Sequence, residues 1–177
     1  QQVESYNNQR VAFDGMSSKR ILRIFQSLEL ELKLSYREAN KSDIMLYFDW
    51  ANDNKTRKNA LNSEPIPLKK HKEWFKRMVV NPNSKLLLFE ESGRGIGQVR
   101  LDKLDHETSL ISFSVDSNFH GLGYGTIILK KGIEESIRTK FCSKFNAYVK
   151  LDNIASQKVF ERLNFDYIND ALVQGIA

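Results

Sequence analysis

Three glycines crowd one short run, Val115-Asp116-Ser117-Asn118-Phe119-His120-Gly121-Leu122-Gly123-Tyr124-Gly125-Thr126. An alternating apolar segment precedes the run and a helical pattern follows it. Glycine lets the backbone turn tightly and approach a ligand with no Cβ in the way. A helix start adds unpaired N–H groups and the positive end of the dipole. Gly121, Gly123 and Gly125 therefore suit a pyrophosphate cradle, the plain alternative being a capped turn. Two commoner phosphate loops do not fit. The dinucleotide fingerprint needs Gly or Ala at the sixth place counted from Gly121, where Thr126 stands, and the Gly-Lys-Ser/Thr of the P-loop is missing.

The elements that must position this loop are readable from periodicity. Leu30, Leu32 and Leu34 alternate with Glu31 and Lys33, which predicts a strand over 30–36. Ser42 and Asp43 read as a helix start, and Ile44, Tyr47, Phe48 and Ala51 mark its apolar face. Pro65 and Pro67 break the loop that follows. Leu68, His71, Trp74, Phe75 and Met78 then share one side of a second helix. A hairpin of strands over 85–90 and 96–101 turns at Ser92-Gly93. A further turn near Asp105 leads into a strand over 109–115. Ile128, Leu129, Ile133 and Ile137 predict a helix ending near Thr139. A strand over 145–151, a helix over 153–163 and one or two short strands within 165–176 complete the order. Helices after the fourth and fifth strands imply a crossover, hence a mixed sheet.

On these residues the chain resembles the GNAT superfamily. That family marks its acyl-CoA site with Arg/Gln-x-x-Gly-x-Gly/Ala between the fourth strand and the third helix. His120-Gly121-Leu122-Gly123-Tyr124-Gly125 looks like this motif, with His120 standing where Arg or Gln is usual. At the family's distance, Asp152-Asn153-Ile154-Ala155-Ser156-Gln157-Lys158-Val159-Phe160-Glu161-Arg162-Leu163-Asn164-Phe165 resembles its Asn-x-x-Ser/Ala…Tyr-Glu-Lys-Leu-Gly-Phe segment. Asn164 replaces the helix-ending Gly, and Phe160 replaces the frequent Tyr. The resemblance runs over 32–165. It implies an α/β (α+β) fold with a central mixed, mostly antiparallel sheet of roughly six to seven strands, flanked by about four helices and splayed between strands 4 and 5. It also implies acetyl-CoA as cosubstrate, with coenzyme A held by Val115, His120, Gly121, Leu122, Gly123, Tyr124, Gly125 and Thr126, and by Asn153, Ser156 and Lys158. Asn153 and Ser156 are the expected contacts of the pantetheine arm.

The chemistry implied is direct acetyl transfer to an amine in a ternary complex. A backbone N–H near Val115 would face the thioester oxygen. Ser112 and Ser114 lie on one side of the fourth strand. A serine alone is a poor base, so they read as anchors for a proton-carrying water. Asp116 is the nearest carboxylate in sequence, as a base or merely a turn-opening cap. The usual acid for the departing thiolate is the Tyr that Phe160 replaces, which leaves Tyr148, Tyr124 or water. His71 reads as packed beside Trp74, His106 as solvent-facing in a turn, and Cys142 as structural. No His, Cys or carboxylate cluster has metal-ligand spacing, so no metal is expected.

The family's acceptor wall comes from its first two helices, and the candidates here are Tyr47, Trp50, Asn52, Arg57 and Asn62, joined by Gln98. Amides and an arginine beside aromatic rings suit a sugar or base carrying a phosphate. The alternative places Trp50 and Trp74 in the core. The pattern from Phe48 through Trp74-Phe75 to Gly97-Gln98-Val99-Arg100 resembles the N-acetyltransferases of nucleotide-linked 4-amino-4,6-dideoxy sugars in pseudaminic-acid biosynthesis. The Trp-x-Asn pattern is shared with ribosomal-protein acetyltransferases. A UDP-linked amino sugar is thus the expected acceptor, with a protein amine, or acyl-CoA binding without turnover, as the alternatives.

Bulk composition agrees with such a partner. Of 177 residues, 41% are hydrophobic and 28% charged, an ordinary balance for one domain with a core. The net charge of +5, from 27 basic against 22 acidic residues, suits a polyanionic small ligand. Basic residues are dispersed and lack interleaved aromatics on one strand face, against a nucleic-acid partner. No segment approaches the roughly 20 apolar residues of a membrane span. A single cysteine and no leader pattern favour the cytoplasm, and a homodimer is compatible with all of this. Residues 1–29 read as an N-terminal extension before a 30–177 acetyltransferase domain, with Ile21, Ile24, Phe25 and Leu28 on one face of a short helix. Gln9 to Met16 with Arg20-Ile21 weakly resembles the closing region of the nucleotide-sugar hydrolase of the same pathway, which makes the tail of an upstream domain the expected origin of this extension.

Overall fold

The computed structural model describes residues 17–168, so the hydrolase-like stretch 9–16 and the chain beyond 168 lie outside the described residues. Two compact units are distinguished, Gln1–Lys33 and Leu34–Ala177. In the first, α1 spans Ser17–Lys33. Its last turns correct the strand expected over 30–36. Glu, Leu and Lys are strong helix formers, and Lys33 reaches back to Glu29 at 2.7 Å, an i,i+4 pair that only a helix brings together. The Leu-x-Leu alternation is therefore read by the helix, and the strand β1 begins later, at Leu34–Glu38.

In the second unit a one-turn 3-10 segment, Lys41–Asp43, carries a reciprocal cap between Asn40 and Asp43. It leads into α2, Ile44–Asn52. Asp53 then accepts bonds from the Lys55 and Thr56 amides and starts α3, Asn54–Asn59, a helix absent from the periodicity reading. α4 is Leu68–Met78. The strands β2 (Ser84–Glu91), β3 (Arg94–Lys103) and β4 (Thr108–Val115) follow as an antiparallel meander. Ser92 and Gly93, both at positive φ, make the first turn. α5 is Tyr124–Arg138, β5 only Lys144–Asn146, and α6 Ile154–Arg162.

The sheet order is β1-β2-β3-β4-β5, with β5 parallel to β4. It has five strands among the described residues, against the six to seven expected. The strand expected over 145–151 is short, because β5 leaves β4 after Asn146. Residues 165–168 form no strand, and the rest of the expected C-terminal strands falls outside the described residues.

The two faces of the sheet bury different partners. Leu87, Phe89, Val99, Leu101 and Ile111 lie toward α5, where Ile128 and Leu129 are fully buried. Gly132 lets α5 press onto β3: a Cβ there would stand 2.8 Å from Val99. The opposite face packs Leu86 and Leu88 against Tyr47, Trp50 and Phe75 of α2 and α4, edged by Trp74 and Met78. Arg37 of β1 pins the start of this layer through two bonds to Asp43, at 2.7 and 2.8 Å.

Candidate functional site

β4 links the two halves of the candidate site. Its register places Ser112 opposite Arg100 and Ser114 opposite Gln98, so all four share the face that carries α2 and α4. The Gln98 amide donates to Ser114 Oγ at 3.2 Å. Ser114 thus accepts one bond and keeps its own proton for another partner. Gln98 Oε1 is buried with no hydrogen-bond partner among the described residues. Arg100 lies over Trp74, 5.5 Å from the ring centroid, and pairs with Asp102 at 2.9 Å. Arg100 lies on the neighbouring strand, outside the alternation that selected Ser112 and Ser114, and only cross-strand pairing brings it to their side.

On its outer edge β4 is half used. β5 pairs only with Thr108, Ser109 and Leu110. From 111 to 115 no described strand borders β4 on this outer edge, and the stretch left open where the pairing with β5 stops is the slot. At the slot's end Asp116 opens a 3-10 turn, Ser117–Phe119. His120 folds back, its Nε2 2.8 Å from the Val115 carbonyl, so that nitrogen carries the proton. Gly121 and Gly123 stand at φ +78° and +93°, a region L-residues rarely adopt. Gly123 is the residue before the first turn of α5, and no side chain caps that turn. The α5 amides are consequently left for an outside acceptor, the arrangement that binds phosphate. Gly121, Leu122 and Gly123 are all exposed.

Gly125 has a different reason to be glycine. A Cβ there would lie 3.2 Å from the Phe113 ring and 3.5 Å from Val159. It serves the close packing of α5 on β4 and α6. Tyr124 turns inward: its hydroxyl donates to Glu91 at 2.9 Å, and burial with that carboxylate pushes it up to about 12. Its proton is held away from the slot. Phe119 meets Tyr124 edge-on at 5.5 Å and receives Arg94 at 4.8 Å. Thr126 sits half-buried in the same first turn.

Across the slot, Asn153 caps α6 by accepting from the Ser156 amide at 3.2 Å, and its own amide donates to Ser156 Oγ at 3.0 Å. Lys158 is exposed on the same helix. Phe160 is buried edge-on to Phe113 at 5.7 Å and to Phe165 at 5.0 Å. Tyr148, just past β5, is 49% exposed and is the most open of the candidate hydroxyls.

The acceptor-wall candidates divide. Tyr47 is buried against Phe75 and Trp50, with its hydroxyl unpartnered and its ionisation pushed up by burial. Trp50 is buried as well, its ring against Gly95. Asn52 bridges α2 to the Ile66 backbone, accepting from its amide at 2.8 Å. Arg57 donates to the Asn62 and Glu64 carbonyls, both at 3.2 Å, while its Nε is buried without a partner. Asn62 turns its side chain to the Glu64 amide. Lys150, beyond β5, donates to the Lys58 carbonyl at 2.9 Å and ties α3 to the far side of the slot. The structure thus brings Gln98, Ser112 and Ser114 together, and it places Tyr47 in the core.

His71 is buried between Phe48, Trp74 and Phe75, its Nε2 3.0 Å from the Ile44 carbonyl. Burial holds its imidazole below the ordinary value. Among the described residues no cluster of His, Cys, Asp or Glu could hold a metal ion, and no helix is long and apolar enough to cross a membrane.

A family model described as an acetyltransferase (GNAT) domain matches residues 33–166. None of the curated proteins matches the chain significantly. Among solved structures, spermidine N-acetyltransferase from Vibrio cholerae, in complex with CoA and spermine, superposes with TM-score 0.67 at 15% identity, covering 73% of this chain and 79% of that one. The ribosomal L7/L12 alpha-N-protein acetyltransferase RimL, with coenzyme A, gives 0.65 at 17%, covering 73% and 78%. A putative acetyltransferase from Salmonella typhimurium, with acetyl-CoA, gives 0.60 at 21%, covering 76% and 80%. These likenesses concern the fold.

Proposed function

Since the chain belongs to the GNAT family of acetyltransferases, we propose that it moves an acetyl group from acetyl-CoA to a primary amine, on a UDP-linked 4-amino-4,6-dideoxy sugar. The observation that carries the cosubstrate is the pair of left-handed glycines ahead of the uncapped start of α5. Their amides would grip the diphosphate. The free β4 edge over 111–115 would receive the pantetheine arm as an added strand. The thioester supplies an activated acetyl carbon. The chain's own groups do the rest. A backbone N–H near Val115 stabilises charge on the thioester oxygen. Gln98 fixes Ser114, and Ser114 with Ser112 holds the water that takes the proton lost by the attacking amine. The amine forms a new C–N bond, the C–S bond breaks, and the coenzyme A thiol leaves. Tyr148 or water returns a proton to that sulfur, as Phe160 has none to give. Positioning supplies most of the acceleration.

The choice of acceptor rests on charge. Lys55, Arg57 and Lys58 make α3 basic. This surface repels a polyamine and attracts a nucleotide diphosphate. Thiol release from acetyl-CoA, followed with the UDP-linked 4-amino sugar, spermidine and an N-terminal peptide, tests the reading. Release with the amino sugar alone is expected. Release with the peptide alone would transfer the chain to the protein-acetylating branch. Tight coenzyme A binding without release on any amine would favour a non-catalytic acyl-CoA module, the reading to which the buried Phe160 points.

A further inference from the structure

Asp116 is the carboxylate nearest in sequence to Val115, and both of its oxygens are already engaged. Oδ2 accepts from the Trp50 indole N–H at 3.0 Å. Oδ1 accepts from the Asn118 amide at 2.9 Å and the Asn118 side chain at 2.8 Å. The Asp116 amide donates to the Ile96 carbonyl at 2.8 Å, and its carbonyl receives the Phe119 amide at 2.9 Å. Asp116 therefore joins α2, the β3–β4 pair and the turn that feeds the glycine loop. A second influence on the turn is electrostatic. Burial works against ionisation of Asp53, yet the Thr56 amide, the Ser117 hydroxyl and the Lys55 amide together hold it below the ordinary carboxylate range. Asp53 starts α3, and Ser117 is the residue after Asp116. Arg94, over the Phe119 ring at 4.8 Å, braces the turn from the β2–β3 hairpin.

We propose that Asp116 is a positioning residue that clamps the acceptor-side helices to the diphosphate loop through Trp50, so that filling the loop sets the acceptor wall. The tie is short: Trp50 sits in α2, and Asp116 follows β4 directly and opens the turn that leads to the glycine loop. A general base would need an oxygen free to meet an amine or a water. Asp116 offers none. In agreement, its carboxyl is held low: burial alone would raise it, but the Asn118 amide, the Trp50 indole, the Asn118 side chain and the Arg94 charge prevail.

The inference rests on the acetyl-CoA reading above, and the chain's two tryptophans let the two be tested apart. Indole N–H resonances of Trp50 and Trp74, assigned with Trp50→Phe, are followed in the whole protein while coenzyme A is added, with calorimetry in parallel. Coenzyme A is expected to move the Trp50 signal and leave Trp74 still. Asp116→Asn keeps a cap for Asn118 but turns a donor or removes an oxygen toward Trp50. It is expected to bind coenzyme A about fivefold more weakly, the low end of ordinary coupling between sites, with the Trp50 signal no longer responding. Ser117→Ala, which removes only the second influence, is expected to weaken the response partly and provides the measurement if the first variant fails to fold. Heat of binding in the wild-type protein without movement of Trp50 overturns the clamp and leaves the acetyl-CoA reading standing. No heat at millimolar coenzyme A overturns both. Loss of the acidic limb of the kcat/KM pH profile in Asp116→Asn, with coenzyme A affinity unchanged, would make Asp116 a base and overturn the clamp as well.

Discussion

The glycine loop and the proposed acceptor wall present their polar groups in different ways. At the loop the groups offered to a ligand are main-chain amides, aimed by two positive-φ glycines and by the uncapped start of α5. On the wall the groups are side chains: Gln98, Ser112 and Ser114 on the sheet, Arg57 and Asn62 on the helical layer. A main-chain site depends on few residue identities and binds whatever carries a diphosphate. A side-chain site changes with each substitution and can be retuned without moving the backbone. One fold can then keep a cosubstrate while its acceptor changes.

The strongest way to break this contrast is at the loop. Alanine at both Gly121 and Gly123 forces two L-residues to positive φ, each at about 1–2 kcal/mol. Coenzyme A affinity measured by calorimetry is expected to drop about a hundredfold, since every 1.4 kcal/mol is a factor of ten. Retained affinity would mean that side chains, not amides, hold the ligand. On the wall, Ser114→Ala or Gln98→Leu is expected to lower kcat about tenfold, below the range for losing a full acid–base group because the water keeps other partners. The KM for acetyl-CoA is expected to stay put. A parallel rise in that KM would erase the division between the two regions.

The gentlest test concerns the layer behind the wall. Burial pushes the His71 imidazole below its ordinary value, against the Ile44 carbonyl and the Asp49 charge. Below pH of about 7 the unfolded chain therefore binds a proton that the folded chain refuses, and stability falls as pH drops toward 5. Urea unfolding midpoints between pH 7.5 and 5 are expected to show this decline, and His71→Phe to flatten it. An unchanged slope in that variant would take His71 out of the account.

These regions also differed in how readable they were. Glycine spacing at a strand-to-helix junction has few causes, so the loop could be placed from residues alone. Even there the reason for Gly125 was hidden, because its neighbours Phe113 and Val159 come from other elements. The wall was harder. An aromatic stripe such as Tyr47 and Trp50 looks the same whether it lines a pocket or fills a core, and here both rings are buried. The α3 helix escaped notice because six residues carry too little periodicity, although Asp53 with its two amide partners is an ordinary start signal. Nearer the N-terminus, Leu30 and Leu32 pass for a strand until the Glu29–Lys33 pair decides for the helix, whereas Leu34 does open β1. The parallel pairing of β5 followed from the helix between it and β4. Its early departure did not, because nothing in the apolar pattern of 145–151 says where a neighbour stops.

The parting of β4 and β5 after Leu110 has a consequence in storage and expression. Along residues 111–115 the outer edge of β4 has no described strand beside it, although His120 meets the Val115 carbonyl at its end. Any extended peptide of suitable length can zip onto such a margin, including the same segment of another molecule. An occupant of the slot would then act as a stopper against clumping, and material freed of it is expected to turn cloudy first.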